Sequence, residues 1–283
     1  VSDQAITPAL RQWVAEQLAA GHDATAVLDA MKRSGWAGPV AMVALAQGLS
    51  GAGAAPWPDG VPPAQDIALP ELSASQASEI WAHDRWVKVL VQMRHPRLVV
   101  LGDFLSQQEC LDLIALASPK LTRSQTVIHE TGGSEVNEAR TSQGMFFSRN
   151  ENELCARIDT RISSLLNWPL ENGEGLQVLH YPPLAQYEPH FDYFDPAQPG
   201  TDAILQRGGQ RVATLVMYLN TPQSGGATTF PDLGLEVQAA QGQAVFFSYA
   251  TPDPCTKTLH GGAPVLVGEK WVATKWLRQR RFE

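Results

Sequence analysis

Residues 176–196, LQVLHYPPLAQYEPHFDYFDP, set the reading of the chain. The apolar runs 176–181 and 187–193 are each too short for a helix, and Pro182-Pro183 breaks the chain between them. Runs of the same kind follow at 211–220, 235–239, 244–249 and 271–277. Turn residues separate them: Gly208-Gly209, Gly225-Gly226, Gly242 and Gly261-Gly262. Short strands with this punctuation predict a β-sandwich or jelly roll over about residues 176–278.

Upstream the texture changes. Residues 87–91 alternate as a strand does, and 98–104 form a second apolar strand. Ser106 with Glu109 is a capping-box pattern that opens a helix over 107–117. A helix over 151–166 places Leu154, Ile158, Ile162 and Leu165 on one face, and 73–82 reads as a short helix. The segment 118–144 contains HETGGSEVNEARTS, polar and glycine-bearing. It reads either as a loop that closes over a substrate or as an ordinary surface loop.

Residues 1–50 read as three short helices. Thr7-Pro8 opens the first, Asp23 caps the second and Gly38-Pro39 begins the third, while Gly21 and Gly35 end the first two. A bundle of this size buries little surface alone. Glycine and proline crowd 51–70, which reads as a linker or a strap. The expected organisation is a small helical region 1–50, a linker 51–70 and one large α+β domain 71–283.

Of the 283 residues 18% are charged and the net charge is −8, which argues against binding nucleic-acid phosphates as the main interaction. The three cysteines, Cys110, Cys155 and Cys255, have no C-x-x-C spacing, so neither a disulfide framework nor a zinc–cysteine site is expected. A reducing, cytoplasmic location is the expectation. No signal peptide is read at the start, and no apolar run is long enough to cross a bilayer.

The chemistry lies in His190-Phe191-Asp192. Residues two apart on a strand face the same way, so His190 and Asp192 converge while Phe191 turns aside. An imidazole and a carboxylate on one face are two parts of the two-histidine, one-carboxylate set that holds non-haem Fe(II). A histidine beside an aspartate is common, so the third ligand matters. His260 follows a run of strands long enough to return the chain beside the pair. Surface or packing roles suit the other five histidines: His22, His83, His95, His129 and His180, which faces away from Tyr181. A 2-oxo dicarboxylate chelating such a metal also needs a buried cation for its far carboxylate. Lys270 shares a strand face with Val272, Thr274 and Trp276. Trp271, Ala273, Lys275 and Leu277 take the other face, where Lys275 reads as an outward lysine in a salt bridge.

Three ordered blocks carry a resemblance: 176–196, then RVATLVMYLNTPQSGGATTFP at 211–231, then HGGAPVLVGEKWVATKWL at 260–277. Together with ARTSQGMF at 139–146 they resemble the catalytic domain of prolyl 4-hydroxylases, over about residues 99–278. The resemblance implies a double-stranded β-helix (jelly-roll) core using Fe(II), 2-oxoglutarate and O2, with ascorbate as an auxiliary reductant. It implies His190, Asp192 and His260 as metal ligands and Lys270 as the partner of the far carboxylate, all four catalytic. Tyr181, Thr214, Tyr218 and Thr274 would line the oxoglutarate pocket, and Trp276 would pack near the metal. Arg140 and Tyr187 would lie toward the substrate.

The implied reaction hydroxylates a C–H bond of a prolyl residue in a peptide or protein, releasing succinate and CO2. A free amino acid or small metabolite stays open as substrate, because fold and co-substrate do not set it. An inactive binding protein on the same fold is disfavoured, since ligands and lysine are all retained. The N-terminal helices lie outside the resemblance and stay open between an interaction module and a stabilising extension.

Overall fold

The computed structural model describes residues 8–36, 41, 44–45, 69–72, 77–124, 126–127, 134–135 and 140–283. The chain divides into two compact units, 1–65 and 66–283. In the first, helices Pro8–Ala19 and Ala24–Arg33 carry an apolar stripe. Leu10, Val14, Val27 and Met31 pack with Ala41, Ala44 and Leu45 in one small core. Gly21 and Gly35 follow the two helices at φ +84° and +87°, the left-handed region that suits glycine at a helix end. Asp23 sits at the N-cap with extended backbone, but its side chain makes no capping bond. Thr7, Gly38-Pro39 and residues 51–68 lie outside the described residues.

The second unit is built on a nine-stranded antiparallel sheet. In spatial order it runs Glu79–Ala82, Arg85–Met93, Arg97–Gly102, Ala244–Ser248, Arg211–Tyr218, Lys270–Arg278, Leu176–Tyr181, Gln143–Phe147 and Thr122–Arg123. A four-stranded sheet runs Leu235–Val237, Thr228–Phe230, His260–Gly262, Tyr187–His190. From Arg97–Gly102 through Ala244–Ser248, Arg211–Tyr218 and Lys270–Arg278 to Leu176–Tyr181, neighbours in space are distant in sequence, which is the crossing-over that makes a jelly roll.

The period of two sorts side chains into two cores. Ala213, Leu215 and Met217 face one way and meet the helices Gln107–Ala117 and Glu153–Leu166 through Leu113, Ile158 and Ile162. Val216 and Tyr218 face the other way and meet Phe230 and Val237 of the small sheet. The second core is the barrel interior, and the site opens from it.

Both helices start as their sequences dictate. Ser106 Oγ accepts from the Glu109 amide at 3.1 Å, and Glu109 Oε2 accepts from the Ser106 amide at 2.8 Å, a complete capping box. Asn152 Oδ1 accepts from the Cys155 amide at 2.9 Å, so the second helix begins at Glu153 rather than 151.

Several expectations are corrected. The helix read over 73–82 is not formed at its end: Glu79–Ala82 is a strand, with Ile80 and Ala82 buried and Ile80 opposite Val87. Pairing with Arg85–Met93 overrides local helical preference there. Residues 73–76 lie outside the described residues. The strand read over 98–104 ends at Gly102, because Asp103 turns the chain at φ +55°. Lys275 is not outward: it is 2% exposed, and its Nζ donates to the equally buried Asp159 at 2.6 Å. The expected ion pair exists, but inside the helix-side core. Within 118–144, Thr122–Arg123 pairs with Gly144 and Gln143, and Thr126–Val127 pairs with Ser134–Glu135. Much of that segment, His129 included, lies outside the described residues.

Candidate active site

His190 and His260 meet because their strands pair in register, His190 opposite His260. Gly261 permits the close approach: a Cβ there would stand 2.9 Å from the Tyr187 carbonyl oxygen. The expected strand 187–193 stops at His190, so Asp192 owes its direction to a bend and not to strand alternation. The convergence holds nonetheless. Asp192 Oδ1 lies 3.6 Å from His190 Nε2, and Asp192 Oδ2 lies 3.3 Å from His260 Nε2.

Each imidazole has its other nitrogen at a main-chain carbonyl. His190 Nδ1 is 2.9 Å from Glu188 O, and His260 Nδ1 is 2.9 Å from Thr258 O. A carbonyl only accepts, so Nδ1 carries the proton and Nε2 presents a bare lone pair to the centre. Burial favours neutral His190.

Asp192 is steered from behind. Thr214 Oγ1 donates to Asp192 Oδ2 at 2.7 Å and lies 3.0 Å from the Tyr249 hydroxyl. Thr214, expected to line the oxoglutarate pocket, therefore turns to the carboxylate instead. Tyr218 lies close to the pocket without opening onto it: its hydroxyl donates to Thr228 Oγ1 at 2.8 Å.

Behind the three converging side chains lies a narrow slot of about 50 Å³, lined among others by Tyr181, Thr228, Lys270, Thr274 and Trp276. Lys270 is 3% exposed. Its Nζ stands 5.5 Å from the Tyr181 ring centre and 5.9 Å from that of Tyr218, and no carboxylate among the described residues pairs with it. Burial alone lowers its pKa to about 8. An ammonium held this way lacks a counter-charge that an anion would supply.

In front lies an open cavity of about 610 Å³. His190, Asp192, Tyr187, Arg140 and Trp276 form its inner wall, and exposed Thr122, Arg123 and Phe146 its rim. The Tyr187 ring stacks on His190 at 3.8 Å, with the Arg140 guanidinium 4.7 Å from the Tyr187 ring centre. Arg140 Nη2 also donates to Gln177 Oε1 at 3.0 Å. Trp276 packs under Arg211 at 4.0 Å, and its buried Nε1 has no hydrogen-bond partner.

Sequence reasoning missed Arg211 and Glu174. Arg211 donates to both Glu174 oxygens, at 2.7 and 3.0 Å, and its Nη1 lies 3.4 Å from the Asp192 carbonyl. The available signal was a lone arginine heading an otherwise apolar strand. His180, set aside as non-ligating, stacks on Trp271 at 4.3 Å and meets Glu269 at 2.8 Å.

His190, Asp192 and His260 are the group among the described residues whose ligating atoms all lie within 4.8 Å. Two bare imidazole nitrogens and a carboxylate suit Fe(II), and the uncompensated Lys270 behind them suits a dicarboxylate. The model of the 2OG-Fe(II) oxygenase superfamily matches residues 176–278. Prolyl 4-hydroxylase 5 of Arabidopsis thaliana is 39% identical over 221 residues, 71% of this chain and 74% of that protein. The chain belongs to the prolyl 4-hydroxylase family. Prolyl 4-hydroxylase 1 of the same plant is 40% identical over 228 residues, 71% of this chain and 78% of its own. Among solved structures, the 2OG complex of the viral collagen prolyl hydroxylase of Paramecium Bursaria Chlorella virus-1 aligns at TM-score 0.49 and 32% identity, covering 64% of this chain and 95% of that one. As a member of the prolyl 4-hydroxylase family, the protein is a 2-oxoglutarate-dependent dioxygenase with Fe(II) as its metal and a double-stranded β-helix core.

Proposed function

We propose that the protein hydroxylates a prolyl residue within a peptide or protein. The observation that carries this is the contrast between the two spaces beside the His190–Asp192–His260 group. The slot holds only about 50 Å³ and is lined mostly by buried side chains, whereas the cavity of about 610 Å³ is bordered by exposed Thr122, Arg123 and Phe146 and has room for a chain. A free amino acid needs a closed site, while a chain passing through needs an open one. The names of the relatives agree with a prolyl substrate.

In this reading His190, Asp192 and His260 hold the iron, and Thr214 fixes the rotamer of Asp192. Lys270 takes the far carboxylate of oxoglutarate, with Tyr181 and Thr274 as slot walls. Fe(II) with oxoglutarate and O2 supplies oxidative decarboxylation to succinate and CO2, coupled to hydroxylation of a C–H bond. Tyr187, stacked on His190 and close to Arg140, presents a wall against which the prolyl ring is positioned. Trp276 Nε1 is a free donor at the junction of slot and cavity. Ascorbate as auxiliary reductant and a reducing cytoplasmic location, in keeping with three free cysteines, complete the proposal. An interaction role for the helical unit 1–65 is tested by deleting it and comparing partner capture with turnover.

The experiment has two steps. Anaerobic addition of Fe(II) and oxoglutarate should produce the visible charge-transfer band, and Asp192→Ala should weaken it. Proline-containing peptides should then gain one oxygen atom in step with succinate. Hydroxylation of free amino acids with no reaction on any peptide would overturn the prolyl assignment.

A further inference from the structure

Beside the substrate cavity lies a second cleft, of about 680 Å³. The two share Phe146, Phe194 and Arg211, so they form a continuous trough along one side of the barrel. The half of the trough next to the metal is accounted for by the reaction. The far half is not.

Its charges do not balance. Arg211 and Arg278 both lie against Glu174, and Glu174 is spent on Arg211 through two hydrogen bonds. Arg278 Nε stands 3.3 Å from Glu174 Oε1 without making a hydrogen bond, and its Nη1 has no partner. The Arg278 Nη2 donates only to main-chain carbonyls, of Ile204 at 3.2 Å and Arg207 at 2.7 Å. Two guanidiniums thus share one carboxylate, and Arg278 is 2% exposed. Burial pushes its pKa down to about 10, so it stays charged at neutral pH. A buried charge without its own counter-ion projects its field into the nearest open space.

The walls add to that field. Arg207 is exposed, and its Nε donates to the Glu283 main-chain oxygen at 2.7 Å. Arg149 is half-buried, and its Nη1 donates to the carbonyls of Glu171 and Gly173. Neither meets a side-chain carboxylate among the described residues. The remaining acid at the edge, Glu283, is engaged through its side chain by Arg281 at 2.7 Å. A chain of net charge −8 therefore concentrates arginine in a cleft that adjoins its substrate cavity.

We propose that this cleft is a second substrate subsite that takes an acidic side chain of the peptide, at a fixed distance along the chain from the hydroxylated proline. The inference rests on the prolyl-peptide reading of the first cavity. Arg207 and Arg149 form the contacting walls, and the unbalanced Arg211–Arg278–Glu174 floor favours a carboxylate and rejects an ammonium. Selection of this kind acts on kcat/KM, because the contact holds the peptide in place while the proline reacts.

The test uses the full chain loaded with Fe(II) and oxoglutarate. A set of peptides carries one proline and one glutamate moved stepwise away from it on either side, beside matched alanine and lysine sets. One or two glutamate positions should raise kcat/KM about three- to tenfold over alanine, and lysine there should lower it. Arg207→Glu should invert the preference at those positions alone, and Arg207→Lys should retain it. The advantage should shrink near 1 M salt, where the Debye length is about 3 Å. Equal kcat/KM for all glutamate and alanine peptides overturns the subsite and leaves the prolyl reading standing. Competition by a single-stranded oligonucleotide, with no glutamate preference, assigns the cleft to phosphates and also overturns it. No hydroxylation of any peptide overturns the prolyl reading and the subsite together.

Discussion

Thr214 Oγ1 donates to Asp192 Oδ2 over 2.7 Å, and the Tyr249 hydroxyl stands behind it at 3.0 Å. Groups that orient a metal-binding side chain commonly contribute about ten- to a hundredfold to metal affinity. Thr214→Val keeps the shape and removes the donor. It should weaken Fe(II) binding by about that factor in an anaerobic titration, while Thr214→Ser restores it. Equal affinity of the valine variant and wild type would remove Thr214 from the site.

Lys270 titrates near 8 when buried and near 10.5 unfolded. Its ammonium is the form that pairs with a carboxylate. Above pH 8 the free protein loses that proton, so the apparent Kd for oxoglutarate should rise, approaching about tenfold per pH unit. The charge-transfer band, titrated with oxoglutarate from pH 7 to about 9, reads this directly.

The same burial makes a stability prediction. Between about 8 and 10.5 the unfolded chain holds more protons at Lys270 than the folded one, so ligand-free stability at this site rises with pH. Lys270→Met should lose oxoglutarate binding yet be more stable than ligand-free wild type at pH 7, by up to about 3 kcal/mol. Urea unfolding of both proteins across pH checks the sign. A less stable methionine variant would mean the ammonium has an internal partner.

The Lys275–Asp159 pair, 2.6 Å long and almost wholly buried, behaves differently. Breaking one side leaves an unpaired charge in the core. Lys275→Met or Asp159→Leu alone should cost roughly 3–5 kcal/mol, and the double variant much less than their sum. Denaturant midpoints of the four proteins give the coupling.

Glu109 joins Arg161, Arg85 and Arg157 at 2.7–3.1 Å. Burial works against its charge, but the Arg161 hydrogen bond and the Ser106 amide win and lower its pKa to about 2. A depressed carboxyl stabilises fully above its unfolded value near 4.5 and is lost as pH falls through 2. Glu109→Gln should flatten the acid limb of the stability curve between those limits, at a cost of roughly 2–3 kcal/mol at neutral pH.

Local chemistry was the readable part of this chain. The capping box at Ser106 and Glu109 involves neighbours in sequence, and it forms as read. Alternation put Lys270 and Lys275 on opposite faces, which also holds. That Lys275 is buried was not readable, because its partner Asp159 comes from a helix more than a hundred residues earlier. Arg211, Arg278 and Glu174 escaped for the same reason: each looks like an ordinary surface charge until the strands carrying them adjoin. The segment at 79–82 was misread because its strand character comes from pairing with Arg85–Met93 and not from its own residues.

Strand Lys270–Arg278 serves two masters, with a lysine committed to each side of the sheet. Inserting or deleting a single residue between Lys270 and Lys275 would flip one of them into the other's compartment. Either the slot would lose its cation or the helix-side core would leave Asp159 stranded. The length of this segment is thus a frame that natural variation must conserve, and a related chain with a gap there is one in which to doubt activity before any ligand residue is examined.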